Sequence, residues 1–298
     1  WGRVMRWNDR RRSNNVEDRR GQPSSASGGG NLPLGLIALL LRTKYGFVII
    51  IILVIASFMG FDFNSLTGQT SQPTQNSQQQ SALYNEAADF SSVVLASTED
   101  FWQGMFAKAG EQYRDPKLVL YTNSTTTQCG TGTKMMGPFY CPADQKIYLD
   151  LSFYNEMKNS LGGGGEFAQG YVISHEVGHH VQHLLGITTQ MREKQQMARS
   201  KVEANRLSVR LELQADCFAG MWGRFIAGEG RVDEADLLTA IKTAQAIGDD
   251  RLQRQQQGYA VPDSFTHGTA EQRKTWFMRG YNSGDIKSCD TFASSSLN

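Results

Sequence analysis

No excess of either charge, no Cys-x-x-Cys pair and no internal repeat marks this chain of 298 residues, in which 30 Lys and Arg face 29 Asp and Glu. The balance gives no sign of a nucleic-acid partner, which calls for a basic patch or stripe. Without paired cysteines there is no zinc-ribbon or thioredoxin-like motif. Histidine is scarce, at five in the chain, so a histidine motif with metal-binding spacing is hard to reach by accident. Lys and Arg are missing altogether from residues 62–98, whereas Arg3, Arg6, Arg10, Arg11, Arg12, Arg19, Arg20, Arg42 and Lys44 crowd the start. The chain begins at Trp1, and Met5 is the expected start of translation.

Between those two regions lies a long hydrophobic run, residues 45–61, uncharged between Lys44 and Asp62. As a helix it would reach about 25 Å against a hydrocarbon core of about 30 Å, and flanking basic side chains can snorkel. No Ala-x-Ala cleavage site follows, so the run reads as an uncleaved anchor and not a signal peptide; a buried core helix is the alternative. The positive-inside rule then places the N-terminus in the cytoplasm and the bulk of the chain across the plasma (inner) membrane, as a single-pass protein. Residues 1–44 read as a disordered basic cytoplasmic tail, 45–61 as the transmembrane anchor, 62–82 as a polar Gln/Ser-rich linker and 83–298 as the folded domain.

All four cysteines lie beyond the anchor, and an even count suits an oxidising compartment. A Cys129–Cys141 disulfide would close a Gly-rich loop, leaving Cys217–Cys289 to tie down the tail; four buried thiols are the alternative. In 83–298 the pattern predicts helices near 86–109, 166–185, 188–227 and 232–247, with short strands at 118–121 and 146–151, the second introduced by residues 137–141. That order is α+β, mostly helical with a small sheet. The strand Lys146–Leu151 could serve as an edge for an extended peptide substrate, or simply as scaffold.

The chemistry concentrates in His175-Glu176-Val177-Gly178-His179. Positions i and i+4 share a helix face, so both imidazoles can meet one Zn²⁺, with Glu176 beside it as general base and acid. His183 lies about 12 Å along the axis from His175, too far for a shared ion, and His180 reads likewise as a neighbour. Gln182 and Leu185 replace the Gly and His of the metzincin pattern. The third ligand expected is Glu212, and Asp216, again i and i+4, is placed to accept a hydrogen bond from a liganding imidazole. His267 could donate to the oxyanion formed at a scissile carbonyl, or be a surface-loop histidine.

These residues resemble the bacterial neutral zinc metallopeptidase family, whose members are membrane-anchored. The likeness runs nearly end to end, through Val16-Glu17-Asp18-Arg19-Arg20-Gly21, Gly137-Pro138-Phe139-Tyr140-Cys141-Pro142, the His175–His180 segment, Glu212-Leu213-Gln214-Ala215-Asp216-Cys217, Ile247-Gly248-Asp249-Asp250, Thr266-His267-Gly268 and Cys289-Asp290-Thr291-Phe292. More remotely, the layout is similar to membrane zinc peptidases that process CaaX proteins or quality-control substrates. That likeness supports Glu212 with Asp216 and, through Thr266-His267-Gly268 with Arg273, a transition-state role for His267. The resemblance implies a zincin-like zinc metallopeptidase acting on protein or peptide. A zinc-binding scaffold or assembly protein of the cell envelope, without proteolytic activity, is the rival reading, and a cell-wall peptide is a third.

Overall fold

The computed structural model describes residues 7–22, 75–155, 166–246, 248, 259–261, 264–293 and 297. The expected anchor at 45–61 lies outside the described residues. Among the described residues no helix is long and apolar enough to cross a membrane. Residues 1–20 and 83–298 cluster as one compact unit, and 21–82 as another.

The architecture is α+β: a small sheet and a larger helical layer. Strands β1 (Val16–Asp18), β2 (Lys117–Tyr121), β5 (Phe139–Cys141) and β6 (Lys146–Asp150) form a sheet ordered β1-β2-β6-β5. β1 and β2 run parallel, as do β2 and β6, while β5 is antiparallel to β6. A separate hairpin joins β3 (Ser124–Thr127) to β4 (Gly130–Thr133). The helices are α1 (Gln75–Lys108), α2 (Glu166–Leu184), α3 (Ile187–Gln196), α4 (Lys201–Gly228), α5 (Glu234–Ala246) and α6 (Ala270–Ser283). Helix α6 starts from a full capping box, Thr269 with Gln272, which the sequence reading overlooked.

Four expectations need correction. The N-terminal segment is not a disordered tail over residues 7–20: it forms β1, and Trp7 is buried against Phe90 with its indole N–H donating to Glu166. Its arginines find acids on α1, Arg11 at Glu99 and Asp100 and Arg12 at Asp89. The polar linker ends early as well, because α1 already begins at Gln75. Glutamine, serine and alanine extend a helix at little cost once its nucleus exists downstream. Finally, β6 is not an edge; it lies between β2 and β5, and β5 is the outer strand. The single helical stretch expected over 188–227 is two helices, α3 and α4, and Ser200 caps the second by accepting from the Glu203 amide.

Core packing decides where the site falls. Trp102, Trp222, Trp276, Tyr171, Phe167, Phe218 and Phe277 are fully buried among α1, α2, α4 and α6. Helices α4 and α6 meet backbone to backbone: a Cβ on Gly280 would sit 1.9 Å from the Cys217 carbonyl oxygen. Between α2 and α4, a Cβ on Gly178 would stand 3.1 Å from the Ala215 backbone. Small residues at that crossing let the histidines of α2 reach the carboxylates of α4.

Both expected disulfides are formed. Cys129–Cys141 ties the β3–β4 hairpin to β5, and Cys217–Cys289 ties the tail to α4.

Candidate metal centre

On α2 the four-residue spacing brings the rings of His175 and His179 within 4.8 Å, centroid to centroid, at right angles. Each ring is held at Nδ1 and offers Nε2. For His175 the anchor is Asp216 Oδ1, 2.9 Å from Nδ1; for His179 it is Gln182 Oε1, also 2.9 Å away. Both acceptors leave the N–H on Nδ1 and turn Nε2 toward α4, where Glu212 lies 3.2 Å from His175 Nε2 and 3.4 Å from His179 Nε2. One ligand atom from each of His175, His179 and Glu212 falls within 4.8 Å of the others. A His₂Glu donor set with both outer nitrogens already engaged fits a zinc ion that keeps one position open. His180 and His183 stand outside this group.

Behind His175, His179 and Glu212 sits a network of buried charge. Arg273 reaches Asp216 with Nε at 2.8 Å and Nη2 at 2.9 Å, a two-pronged pair, and Arg273 Nη2 lies 3.3 Å from the Tyr171 hydroxyl. Tyr171 also donates to Asp216. All three are at most 2 % exposed, so each depends on the others for charge or hydrogen-bond satisfaction. Gln182 in turn donates to the Leu211 carbonyl and to Gln214, and Gln214 donates to the Cys289 carbonyl. The support of His179 thus extends to the disulfide-tied tail.

Burial works against the charged form of His175, but the Asp216 carboxylate, with Glu212 on the other side, outweighs it and lifts the imidazole to about 9. Burial likewise opposes ionisation of Glu212, yet His179 and His175 hold its carboxyl well below the usual range. Burial raises Glu176, with the two imidazoles pulling the other way. His180 is different: burial drops it to about 4. Its Nε2–H donates to the Arg114 carbonyl, and its Nδ1 accepts from the Tyr140 hydroxyl, which leaves the ring neutral and pins β5 to α2.

A cleft of about 560 Å³ opens onto these groups, lined by His175, Glu176, His179, Glu212, His267 and Arg273. Met136, Pro138, Phe139 and Tyr140 from β5 and its approach, and Phe153 just after β6, line it too. Of the residues picked out in the sequence, His175, Glu176, His179, Glu212 and Asp216 come together. His267 is exposed on the cleft wall, with Thr266 Oγ1 3.1 Å from its Nδ1, and is not part of the ligand cluster. Gln182, Tyr171 and Tyr140 escaped the sequence reading. Gln182 and Tyr171 lie three residues after His179 and four before His175, a helical spacing that could have flagged them.

The family model described as "Putative neutral zinc metallopeptidase" matches residues 5–292. Among curated proteins, "Uncharacterized protein YpfJ" of Escherichia coli K12 is 53% identical over 295 residues, covering 98% of this chain and 100% of that protein. "Uncharacterized protein Rv2575" of Mycobacterium tuberculosis is 38% identical over 196 residues, 62% of this chain and 65% of that one. No solved structure matches the chain. With a model match over nearly its whole length and the ligand set assembled, the chain belongs to the neutral zinc metallopeptidase family, whose cofactor is Zn²⁺.

Proposed function

We propose that the protein is a zinc-dependent endopeptidase with a zincin-like catalytic domain. The observation that carries this is the meeting of His175, His179 and Glu212 at an open cleft with the Glu176 carboxylate buried beside them. His175, His179 and Glu212 would hold the ion, which when bound acidifies a water and polarises the scissile carbonyl. Glu176 takes the proton from the attacking water and passes it to the leaving amine; the upward push of burial on its pKa suits a group that must both accept and release. His267 donates to the oxyanion from the cleft wall. Asp216 and Gln182 hold the two imidazoles at Nδ1. Because β5 is the outer strand and lines the cleft, it takes over from β6 as the strand along which an extended peptide lies.

Two disulfides favour an extracytoplasmic setting, and the apolar run 45–61 supplies attachment to the plasma membrane. The test is Glu176→Gln in the purified, zinc-loaded protein with an unfolded protein as substrate. We expect cleavage to fall roughly 100-fold or more while bound zinc stays at the wild-type level. Equal cleavage by the variant overturns the mechanism. A zinc-loaded wild type inert against broad peptide libraries would instead favour the scaffold.

A further inference from the structure

Beyond the metal centre the wall of the cleft changes character. Gly186, left-handed at φ 75°, turns the chain out of α2 and into α3, from which Thr188, Arg192 and Gln195 line the cleft. Steps of four and three residues put these three on one face of the helix. That face is fixed relative to the ligands. Met191 is buried and anchors α3, and Gln195 donates at 2.8 Å to Ser208 Oγ, one turn before Glu212 on α4. Arg192 is therefore displayed into the cleft from a helix pinned to the one that carries Glu212.

Arg192 is exposed, and among the described residues it forms no ion pair. Glu193 and Lys194 follow it directly, and positions one and two apart on a helix do not face each other. The carboxylates that share the cleft, Glu176 and Glu212, belong to the metal centre, where Glu212 faces both imidazoles. A second cation stands close by. Burial first, then the charges of Arg114 and Arg192, push the His183 imidazole below its usual range, which puts both guanidiniums at the end of the cleft past His179. Arg114 is likewise exposed and, among the described residues, without an ion pair. Tyr140 of β5 lies 6.2 Å from His183, ring centroid to ring centroid, so the strand that would carry a peptide reaches the same end. A guanidinium left uncompensated in a cleft draws anions more strongly than one on an open surface, and its planar fork matches a carboxylate. In a peptide, carboxylates occur only on Asp and Glu side chains and at the C-terminus.

We propose that Arg192 is a specificity-determining residue whose guanidinium pairs with a carboxylate of the bound peptide, resting on the peptidase reading only in that a peptide fills the cleft. Substrates with an acidic group on the α3 side of the scissile bond are then preferred. Because Arg192 is exposed, water competes for the pair, and its worth is roughly 10-fold in binding.

The zinc-loaded full chain carrying Glu176→Gln is titrated with coumarin-labelled peptides of Ala and Phe, with binding read by fluorescence anisotropy. One Gln or one Glu is walked through every position, and each peptide is made with a free and with an amidated C-terminus. We expect one Glu position, or the free C-terminus, to tighten binding roughly 10-fold over the amidated Gln peptide, an advantage that shrinks as salt is raised. Whichever carries the gain identifies the source of the carboxylate. Adding Arg192→Gln should abolish the gain, and Arg192→Lys should keep part of it. No gain from any carboxylate, or a gain that survives Arg192→Gln, overturns the proposal, and so does failure of every peptide to bind. Wild-type cleavage of the same peptides separates this from the peptidase reading. Cleavage blind to acidic groups sinks the role of Arg192 and leaves the peptidase standing; acid-selective binding without cleavage does the reverse.

Discussion

The helical side of the molecule and the side built from the sheet and the N-terminal arm, residues 7–20, both carry charge, but they use it in opposite ways. On the helical side, Asp216, Arg273 and His175 are shut away from water, with the half-buried Glu212 joining them at the cleft. On the other side, Arg12 with Asp89 and Arg20 with Asp18 are ion pairs in or near solvent, each arginine also held by a ring or backbone contact. In the first setting a charge removed leaves another stranded in a dry interior; in the second, water takes its place. The same kind of contact therefore differs several-fold in consequence across the molecule.

Removing Asp216 should give the largest effect. Asp216→Ala strands Arg273, and we expect a loss of about 3–5 kcal/mol in urea unfolding of the zinc-loaded protein. A loss under about 1 kcal/mol would erase the contrast between the two sides. Next comes acid. The His180 ring is neutral in the fold and its pKa is about 4, against 6.5 ordinarily. The unfolded chain takes up the proton first, so the contribution is complete above pH 6.5 and drains away as pH falls toward 4. The shift corresponds to about 3 kcal/mol. Unfolding midpoints measured from pH 7.5 to 4 should fall steeply for the wild type and more gently for His180→Asn. Parallel slopes would remove His180 from the account.

A smaller effect is expected at Gln182, which acts through His179. Gln182→Ala should weaken zinc binding roughly 10- to 100-fold in a chelator competition. If the variant binds zinc like the wild type, the ring is oriented by something else. The smallest change should come from Arg12→Ala. Although its pair with Asp89 has two short contacts of 2.9 and 2.7 Å, both partners are more than two-fifths exposed, so we expect less than about 1 kcal/mol. A loss of 3 kcal/mol would put the arm's surface pairs on a par with the buried network.

What the sequence revealed follows the same division. His175 with His179 and Glu212 with Asp216 each advertise themselves by a four-residue step, because the periodicity of one helix is local information. The disulfides also followed from small-number pairing. The arm gave no such sign: a short segment rich in Arg, Ser and Asn has the composition of an unfolded tail. The acids that hold Arg12 and Arg11 lie on α1, 77 positions away for Asp89 and 89 for Asp100. Strand order is likewise non-local, which is why β6 looked like an edge until β5 was seen outside it. Helical spacing puts Gln182 and Tyr171 near the histidines, but a polar residue on a buried helix does not say which atom it will hold.

Timing follows from the place of Arg273 on α6. Vectorial synthesis delivers His175, His179, Glu212 and Asp216 before it delivers their buried counter-cation. Until α6 docks through Gly280 onto α4, the Asp216 carboxylate has no guanidinium to face and no reason to be dry. Docking of that helix and maturation of the metal centre should therefore be a single event, late in folding, with the half-built site open to water and unready to hold its ion.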